Sequence, residues 1–268
     1  QEADAERAMV RAARRIGAKT DRHDTFELVL PGDLPYEPAR APDLFTTFRK
    51  DVERGGLAVR REVPTPEAGR AVWTFPEVVR REILPDGSPE PAFPDGRKMP
   101  GGETAALKRL EEWIWAKDRL RTYKETRNGM LNPDDSSHFS AYLAHGCLSP
   151  RRIHAEVMRY ERERVANDST YWLVFELLWR DFFRLMLRKH GDRLFRASGI
   201  QGVRLDWNRL DGKADAWREG RTGFPLVDAA MREIAATGYM SNRARQNVAS
   251  FLTKNLGLDW RVRAEWFE

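Results

Sequence analysis

The stretch Ser169–Gly191, STYWLVFELLWRDFFRLMLRKHG, decides the fold. Its apolar residues recur at the spacing of an α-helix, and they surround the helix on nearly every side. A helix with that pattern is predicted to lie deep in a protein core. Glu176 stands in the middle of it, and a carboxylate in such a place needs partners because burying an unpaired charge is costly.

Two interpretations of Glu176 follow from the residues alone. At about 100° per residue, one narrow face of the helix carries Trp172, Glu176, Trp179 and Phe183, with Arg180 at its edge. In the first interpretation Glu176 forms a local ion pair with Arg180, four residues along, and the tryptophans belong to the core. In the second, this face is a cavity wall on which Trp179 stacks on a flat ligand and Glu176 accepts its hydrogen bonds. The sequence leaves both open at this point.

Outward from this helix, the chain reads as helix after helix from Glu103 onward. The apolar spacing is close to 3.6 residues, and several stretches end at a glycine. The stretches with this pattern are 103–120, 150–165, 169–191, 225–238 and 241–257. Strand patterns and repeats of fixed period are absent from this part of the sequence. Residues 103–268 are therefore predicted to form an all-α domain.

The first hundred residues differ in character. Residues 3–18 predict a helix and residues 25–35 a short strand, which together suggest that 1–34 is the tail of an α/β domain. Residues 35–102 are rich in proline and glycine and predict a long connector, interrupted by helical character at 43–54. The expected fold class is mainly α.

Composition narrows the class of protein. The 268 residues carry 46 Lys and Arg against 41 Asp and Glu, and the net charge of +5 suggests an anionic partner without proving one. A single cysteine, Cys147, excludes an internal disulfide framework and favours a reducing compartment. We therefore expect a cytoplasmic protein, with a eukaryotic organelle left open. The histidines show no metal-ligand spacing, and no apolar run reaches the ~18 residues of a membrane span.

Two polar stretches stand out among the helices. In Thr237–Leu252, TGYMSNRARQNVASFL, one face carries Asn, Arg and Gln side chains, whose donors and acceptors suit a base edge or a flavin-like ring. A solvated face is the alternative. The run Ser136–Ser140, SSHFS, precedes an apolar helix, and a helix N-terminus with hydroxyls can bind phosphate. An ordinary cap or turn explains the same run.

Taken together, these stretches resemble the flavin-binding helical domain of the photolyase/cryptochrome family. The resemblance is carried by TYWLVFELLWRDFFR, GFPLVDAAMREIAATGYMSNRARQNVASFLTKNLGLDW and SSHFSAYLAHGCLSPR. TYKETRNGM and the Gln of NRARQNVASFL are most similar to the DASH-type cryptochromes, which act as photolyases on cyclobutane pyrimidine dimers in single-stranded DNA. The resemblance covers most of residues 45–268. The first 40 residues are more weakly similar to the end of the family's antenna domain.

The resemblance implies roles for particular residues. Residues expected to contact FAD, largely around its phosphates, are Tyr123, Ser136, Ser137, His138, Phe139, Ser140, Arg180 and Arg245. Residues expected to line the dimer pocket and act in catalysis are Glu176, Trp179 and Asn242. Residues expected on the DNA side are Arg127, Arg243 and Gln246, the last replacing a Met of most photolyases. Trp260 and Trp207 match the middle and surface members of an electron-transfer chain of tryptophans.

The function implied is blue-light-driven repair of pyrimidine dimers by electron transfer from reduced flavin, the reaction of a deoxyribodipyrimidine photolyase-type lyase. The expected partner is dimer-containing DNA, in single-stranded form, with no membrane and no metal. The chain starts without Met, and the family's proximal tryptophan would follow Glu268, so we expect an internal fragment of a longer, monomeric parent. A methenyltetrahydrofolate antenna belongs to that parent.

Two other readings stay open. One is a blue-light receptor that uses the same flavin and signals without repair. The other is a basic helical module that binds nucleic acid without a cofactor. Glu176, Trp179 and Asn242 together favour repair chemistry over signalling. Tyr123, the SSHFS run and Arg245 together favour a flavin site over a bare nucleic-acid module.

Overall fold

A computed structural model describes residues 2–20, 25–63, 100–209 and 212–267, and all regular elements in these ranges are helical. The helices are α1 (Glu2–Arg15), α2 (Phe45–Glu53), α3 (Glu103–Glu111), α4 (Tyr123–Thr126), α5 (Phe139–Ala144), α6 (Pro150–Glu163), α7 (Asp168–His190), α8 (Gly212–Arg218), α9 (Pro225–Thr237), α10 (Asn242–Ser250) and α11 (Trp260–Phe267). Single π-helical turns extend α3 over Glu112–Ala116 and α10 over Phe251–Asn255.

The central helix α7 begins and ends where its sequence dictates. The Asn167 side chain accepts hydrogen bonds from the backbone N–H groups of Ser169 and Thr170, and the Thr170 hydroxyl accepts one from the Asn167 N–H. This capping box satisfies N–H groups that the helix itself leaves unpaired. Gly191 ends the helix with a positive φ of 52°, which glycine adopts without steric cost.

Helix α7 is buried on most of its circumference, as its sequence predicts. Its buried apolar side chains are Leu173, Val174, Leu177, Leu178, Phe182, Leu185 and Met186. The helix packs against α2, α4 and α6, and together they form the first of two hydrophobic clusters. The second cluster is built by α8 to α11 around Trp217, whose indole N–H donates to the carbonyl of Val248. In the described ranges no helix is both long and apolar enough to cross a membrane.

Most of the predicted helices are confirmed, with local differences. The stretch 103–120 is not one helix, because its π turn buries three consecutive residues, Trp113, Ile114 and Trp115, and Asp118 then adopts a left-handed φ of 53°. Helices α4, α8 and α11 were not predicted. They span four to eight residues and are too short for their apolar spacing to stand out in the sequence.

The predicted strand at residues 25–35 is wrong. The backbone N–H groups of Leu28 and Val29 donate to the two carboxylate oxygens of Asp181, at 3.1 and 2.9 Å. A short 3₁₀ turn follows at Pro31–Asp33. The donors that would pair with a neighbouring strand are thus taken by a buried side chain of α7, and the described residues form no strand to which this segment could pair.

The division into segments 1–34, 35–102 and 103–268 stays a prediction. Residues 64–99 of the predicted connector lie outside the described residues. The helix expected within 43–54 is present as α2, and its Phe45 and Phe48 are buried in the same cluster as α7. The N-terminal Leu28 belongs to that cluster too, so these segments share one core with the helical domain.

Asp181 makes the stability of this core depend on pH. Burial raises the pKa of Asp181 to about 7, although its two backbone donors favour the charged form. Because the folded-state pKa lies above that of the unfolded chain, the contribution of Asp181 to stability is full below about pH 4. That contribution is lost as the pH rises through about 7.

We therefore expect Asp181→Asn, which cannot ionise, to remove part of this pH dependence. Relative to the variant, the wild type should lose about 2 to 3 kcal/mol of unfolding free energy between pH 5 and pH 8. Urea denaturation at both pH values measures the difference. The control is Asp215→Asn on α8, whose side chain is 62% exposed. Parallel stability curves for wild type and Asp181→Asn would contradict this account.

Candidate functional site

The SSHFS run lies on a loop whose backbone is held from one side. Arg109 of α3 donates to the carbonyl oxygens of Ser136 and Ser137, at 3.3 and 3.0 Å. Trp113 donates its indole N–H to the carbonyl of Asp134, at 3.1 Å. Three carbonyls of the loop therefore point toward α3 and its π turn.

We call the contacts of Arg109 and Trp113 with these carbonyls the Arg109 clamp. Because the clamp binds the carbonyls, N–H donors lie on the side of the loop that faces away from α3. In a trans peptide the C=O and N–H point in opposite directions, so the N–H groups of Ser137 and His138 face away from Arg109. The Asp134 carboxylate is bound by Arg109 at 3.0 Å and Lys117 at 2.9 Å, which offsets its charge beside the loop. The hydroxyl-bearing run then offers N–H and O–H groups to an anion, and α5 starts at Phe139 as expected. These groups fit the phosphates of the expected FAD.

A ring stack joins this loop to the second cluster. The imidazole of His138 lies 4.5 Å from the ring of Tyr239 at an interplanar angle of 14°. Tyr239 sits in the short connection between α9 and α10. Burial lowers the pKa of His138, so the imidazole is neutral at pH 7. The stack thus carries no net charge and brings the SSHFS loop against the start of α10.

Tyr123 connects the loop side of the site to Glu176. It is buried, and its ring meets Trp113 edge to face at 5.3 Å. Burial and the nearby negative charge of Glu176 both raise the pKa of the Tyr123 phenol, so it remains protonated. The structure therefore places one predicted cofactor residue within electrostatic reach of one predicted catalytic residue.

Glu176 has one partner on its own helix and one from a remote part of the chain. Arg127, the residue that follows α4, donates to Oε1 of Glu176 at 2.9 Å, and the indole N–H of Trp172 on α7 donates to the same oxygen at 3.1 Å. Burial raises the pKa of Glu176, while the charge of Arg127 and the Trp172 hydrogen bond oppose that shift. The local pair with Arg180 is not formed.

Arg180 instead forms hydrogen bonds with backbone carbonyl groups. Its guanidinium donates to the carbonyl oxygens of Phe26 and Leu143, so it links the N-terminal segment and α5 to α7. Burial lowers the pKa of Arg180, and the nearby Arg184 acts in the same direction. Its expected contact with the cofactor stays a prediction.

Trp179 is half-buried among other rings. Phe45 of α2 stacks on it, with centroids 3.6 Å apart and an interplanar angle of 12°. Phe183 lies 5.4 Å away at 27°. One face of the Trp179 indole is therefore covered by Phe45, and a flat ligand could stack only on the opposite face. Its expected contact with the dimer stays a prediction.

The polar face of α10 reaches the end of α4. Arg243 donates to the side-chain oxygen of Asn128 at 2.6 Å and to that of Gln246 at 2.8 Å. Since Asn128 follows Arg127, the expected DNA-side arginines 127 and 243 approach one edge of the site. Asn242 is exposed at the first position of α10, after the N-cap residue Ser241.

Arg245 points away from that edge, as its position on the helix predicts. Its guanidinium lies 4.9 Å from the centroid of Phe267 on α11. Burial lowers its pKa, while the neighbouring Tyr239 acts in the opposite direction. Arg245 therefore lies on the Tyr239 side of the site, half-buried, where a guanidinium can meet an anionic group.

The two expected electron-transfer tryptophans lie in adjoining turns. Asn208, next to Trp207, donates its backbone N–H to Gly257 and its side-chain amide to Leu256, both at 2.8 Å. Helix α11 then starts at Trp260. Gly257 has a φ of +65°, and a Cβ there would lie 2.5 Å from the Asn208 amide, so this approach requires glycine. Electron transfer through these rings stays a prediction.

Sequence reasoning missed the residues that hold the site together. Arg109 resembles any exposed helix arginine in the sequence, and Asn128 any turn residue. Tyr239 lies inside the stretch Thr237–Leu252, where an aromatic residue beside Gly238 is only a weak indication of a ligand site. Within the described part of the chain, no three His, Cys, Asp or Glu side chains converge as metal ligands would.

Known proteins resemble this chain over most of its length. Residues 172–268 match the family described as the FAD binding domain of DNA photolyase. The chain is 54% identical over 246 residues to the cryptochrome DASH of Gloeobacter violaceus, which covers 90% of this chain and 48% of that protein. The chain spans about half the length of the curated relatives it matches.

Solved structures show the same fold. A Synechocystis cryptochrome superimposes with a TM-score of 0.84 and 48% identity, covering 98% of this chain and 55% of that one. A class III photolyase from Agrobacterium tumefaciens superimposes with a TM-score of 0.73 and 26% identity, covering 98% of this chain and 54% of that one. The mainly α fold class expected from the sequence is confirmed.

The Arg109 clamp predicts a local effect on the SSHFS loop. Arg109→Gln removes charge-assisted hydrogen bonds to two carbonyls, each worth about 1.5 to 3 kcal/mol. Hydrogen exchange of the Phe139 amide, which donates to the Ser137 hydroxyl at 3.4 Å, should therefore become at least about tenfold faster, as measured by nuclear magnetic resonance. The control is Arg159→Gln, which pairs with Glu163 and Glu156 on the exposed side of α6. Unchanged exchange in Arg109→Gln would mean that other contacts hold the loop.

Proposed function

Because this chain belongs to the photolyase/cryptochrome family and is similar to its DASH cryptochromes, we propose that it builds the flavin site of a light-driven DNA-repair enzyme. The substrate would be a cyclobutane pyrimidine dimer in single-stranded DNA. The observation that carries the proposal is the half-buried Glu176, held by Arg127 and Trp172 at the place where the SSHFS side and α10 meet.

FAD binding is the better supported half of the proposal, since the matched family binds it. The hydroxyls of residues 136–140 and the N–H groups that face away from Arg109 would hold the phosphates. Arg245 would meet the flavin, and the buried Tyr123 would close the site on the α4 side. FAD bound there in its reduced form would supply the light-driven one-electron chemistry that opens the cyclobutane ring, with the electron returned to the flavin at the end.

The chain itself binds and orients the dimer. Burial favours the protonated form of Glu176, and a protonated or proton-sharing carboxyl can donate to a pyrimidine carbonyl that gains negative charge. Arg127 and Arg243 stand at the edge where a DNA strand would enter, and their charges suit its phosphates. Asn242, exposed beside them, has the paired donor and acceptor of an amide for a base edge.

A blue-light receptor without repair is the second candidate. Phe45 covers one face of Trp179, the ring expected to stack on the dimer, and the relatives carry the name cryptochrome. A receptor would bind FAD with the same loop but would not distinguish a dimer-containing strand from an undamaged one. The antenna pigment, monomeric state and cytoplasmic location stay predictions.

The first prediction concerns the cofactor. The chain mixed with FAD and freed of excess should retain the visible absorption bands of bound flavin. Arg245→Gln should weaken FAD binding by about tenfold or more, because a charge-assisted hydrogen bond to an anionic group is lost. Arg261→Gln, an exposed residue paired with Asp259 on α11, is the matched control and should bind FAD as the wild type does. Equal affinities in both variants would exclude a flavin contact for Arg245.

The second prediction concerns repair. Glu176→Gln should lower the yield of dimer splitting in a single strand under blue light by about tenfold, because a neutral amide cannot share a proton with the substrate. The measurement is the loss of dimer per absorbed photon in flavin-loaded protein. Glu163→Gln on the exposed end of α6 is the control. An unchanged yield in Glu176→Gln would remove this role.

A further inference from the structure

Trp172 lies on the Glu176 face of α7, and the family resemblance assigns no role to it. We propose that Trp172 is a positioning residue, which with Arg127 fastens Glu176 by its Oε1 atom and thereby presents Oε2 to the substrate. The inference rests on the proposed function in one respect, since it takes the ligand of Oε2 to be a base of the dimer.

The first support is that both donors end on the same oxygen. Trp172 precedes Glu176 by four residues, which places its ring beside Glu176 on one face of α7. Its indole N–H donates to Oε1 at 3.1 Å, and Arg127 donates to Oε1 at 2.9 Å. In the part of the chain that the structure describes, both hydrogen bonds of this carboxyl end on that atom. The geometry leaves Oε2 as the atom that faces a ligand.

The second support is that the Trp172 ring is already occupied. The Arg127 guanidinium lies 4.9 Å and the Lys124 ammonium 5.1 Å from its centroid, both within cation–π range. Phe175 lies 4.7 Å away at 34°. Three groups close to the ring leave little of it for a nucleobase. Trp172 therefore acts through its N–H group and through its hold on Arg127, and not as a stacking surface.

The charged groups around Glu176 fix the sign of the expected effect. Helix α4 contributes the Arg127 charge and the phenol of Tyr123, which burial keeps neutral, while Lys124 lies over the Trp172 ring. Helix α7 contributes the Trp172 N–H. Arg127 and Trp172 both lower the pKa of Glu176 against the effect of burial. Removing the N–H must therefore raise that pKa further.

The chain contains a matched control cluster. Trp115 donates its indole N–H to Oε2 of Glu156 at 3.0 Å, and the Arg159 guanidinium lies 4.4 Å from its ring. This Trp–Glu–Arg group has the same chemistry as the Trp172 group, but it lies between α6 and the π turn after α3. Trp115→Phe thus removes an equivalent hydrogen bond outside the site.

The test begins with nuclear magnetic resonance of the 268-residue chain, which needs neither flavin nor DNA. In the wild type, the Trp172 indole N–H resonance should titrate with the same pKa as the Glu176 side-chain carbon, assigned through Glu176→Gln. In Trp172→Phe that pKa should rise by about one unit, a tenfold change in proton affinity. The inference is overturned if the wild-type Trp172 indole N–H shift does not follow the titration of Glu176. It is also overturned if the pKa of Glu176 is unchanged in Trp172→Phe.

A binding measurement then separates this inference from the proposed function. Anisotropy of a labelled single strand with one thymine dimer, against the undamaged strand, is recorded from pH 5 to 9. In Trp172→Phe the pH midpoint of dimer preference should move up by about one unit, and in Trp115→Phe it should not move. A wild type without dimer preference refutes the proposed substrate. A wild type with that preference and an identical pH midpoint in Trp172→Phe refutes the positioning role alone.

Discussion

The structure depends on the cost of placing charged groups on a helix that is buried on most of its circumference. Ionisable side chains in the middle of α7 are partly or fully buried, so each must find partners or leave an unpaired charge beside the core. Three ionisable side chains of α7, Glu176, Arg180 and Asp181, form hydrogen bonds with three different parts of the chain.

Each pairing fixes one neighbour of α7. Asp181 accepts hydrogen bonds from the backbone N–H groups of Leu28 and Val29, and this segment is bent where a strand was predicted. Arg180 takes a carbonyl of α5, which sets the helix that follows the SSHFS loop against α7. Glu176 takes Arg127 and thus anchors α4. The hydrogen bonds that compensate the buried charges of α7 therefore also position the segments that form the site.

The proposed function rests on where the two hydrophobic clusters meet. The first cluster contributes a loop with its carbonyls tied back and its donors facing outward, together with a half-buried carboxyl. The second contributes the polar helix α10 and Tyr239. The contacts that join them include the His138–Tyr239 stack and the Arg243–Asn128 hydrogen bond. Hydrogen-bond donors and a half-buried guanidinium in this region fit FAD, the cofactor that the matched family binds.

The sequence by itself determined the helical class, the place and depth of α7, and the residue types of the site, because helical periodicity and a buried carboxylate are local properties of the chain. Tertiary structure alone decided the partners. Glu176 could pair with Arg180 four residues away or with Arg127, 49 residues away, and only packing brought α4 within 2.9 Å. The strand at 25–35 failed for the same reason, since a distant carboxylate competed for its N–H groups. Hydrogen bonds between remote segments depend on how the segments pack around the core. The spacing of residues within one segment does not predict that packing.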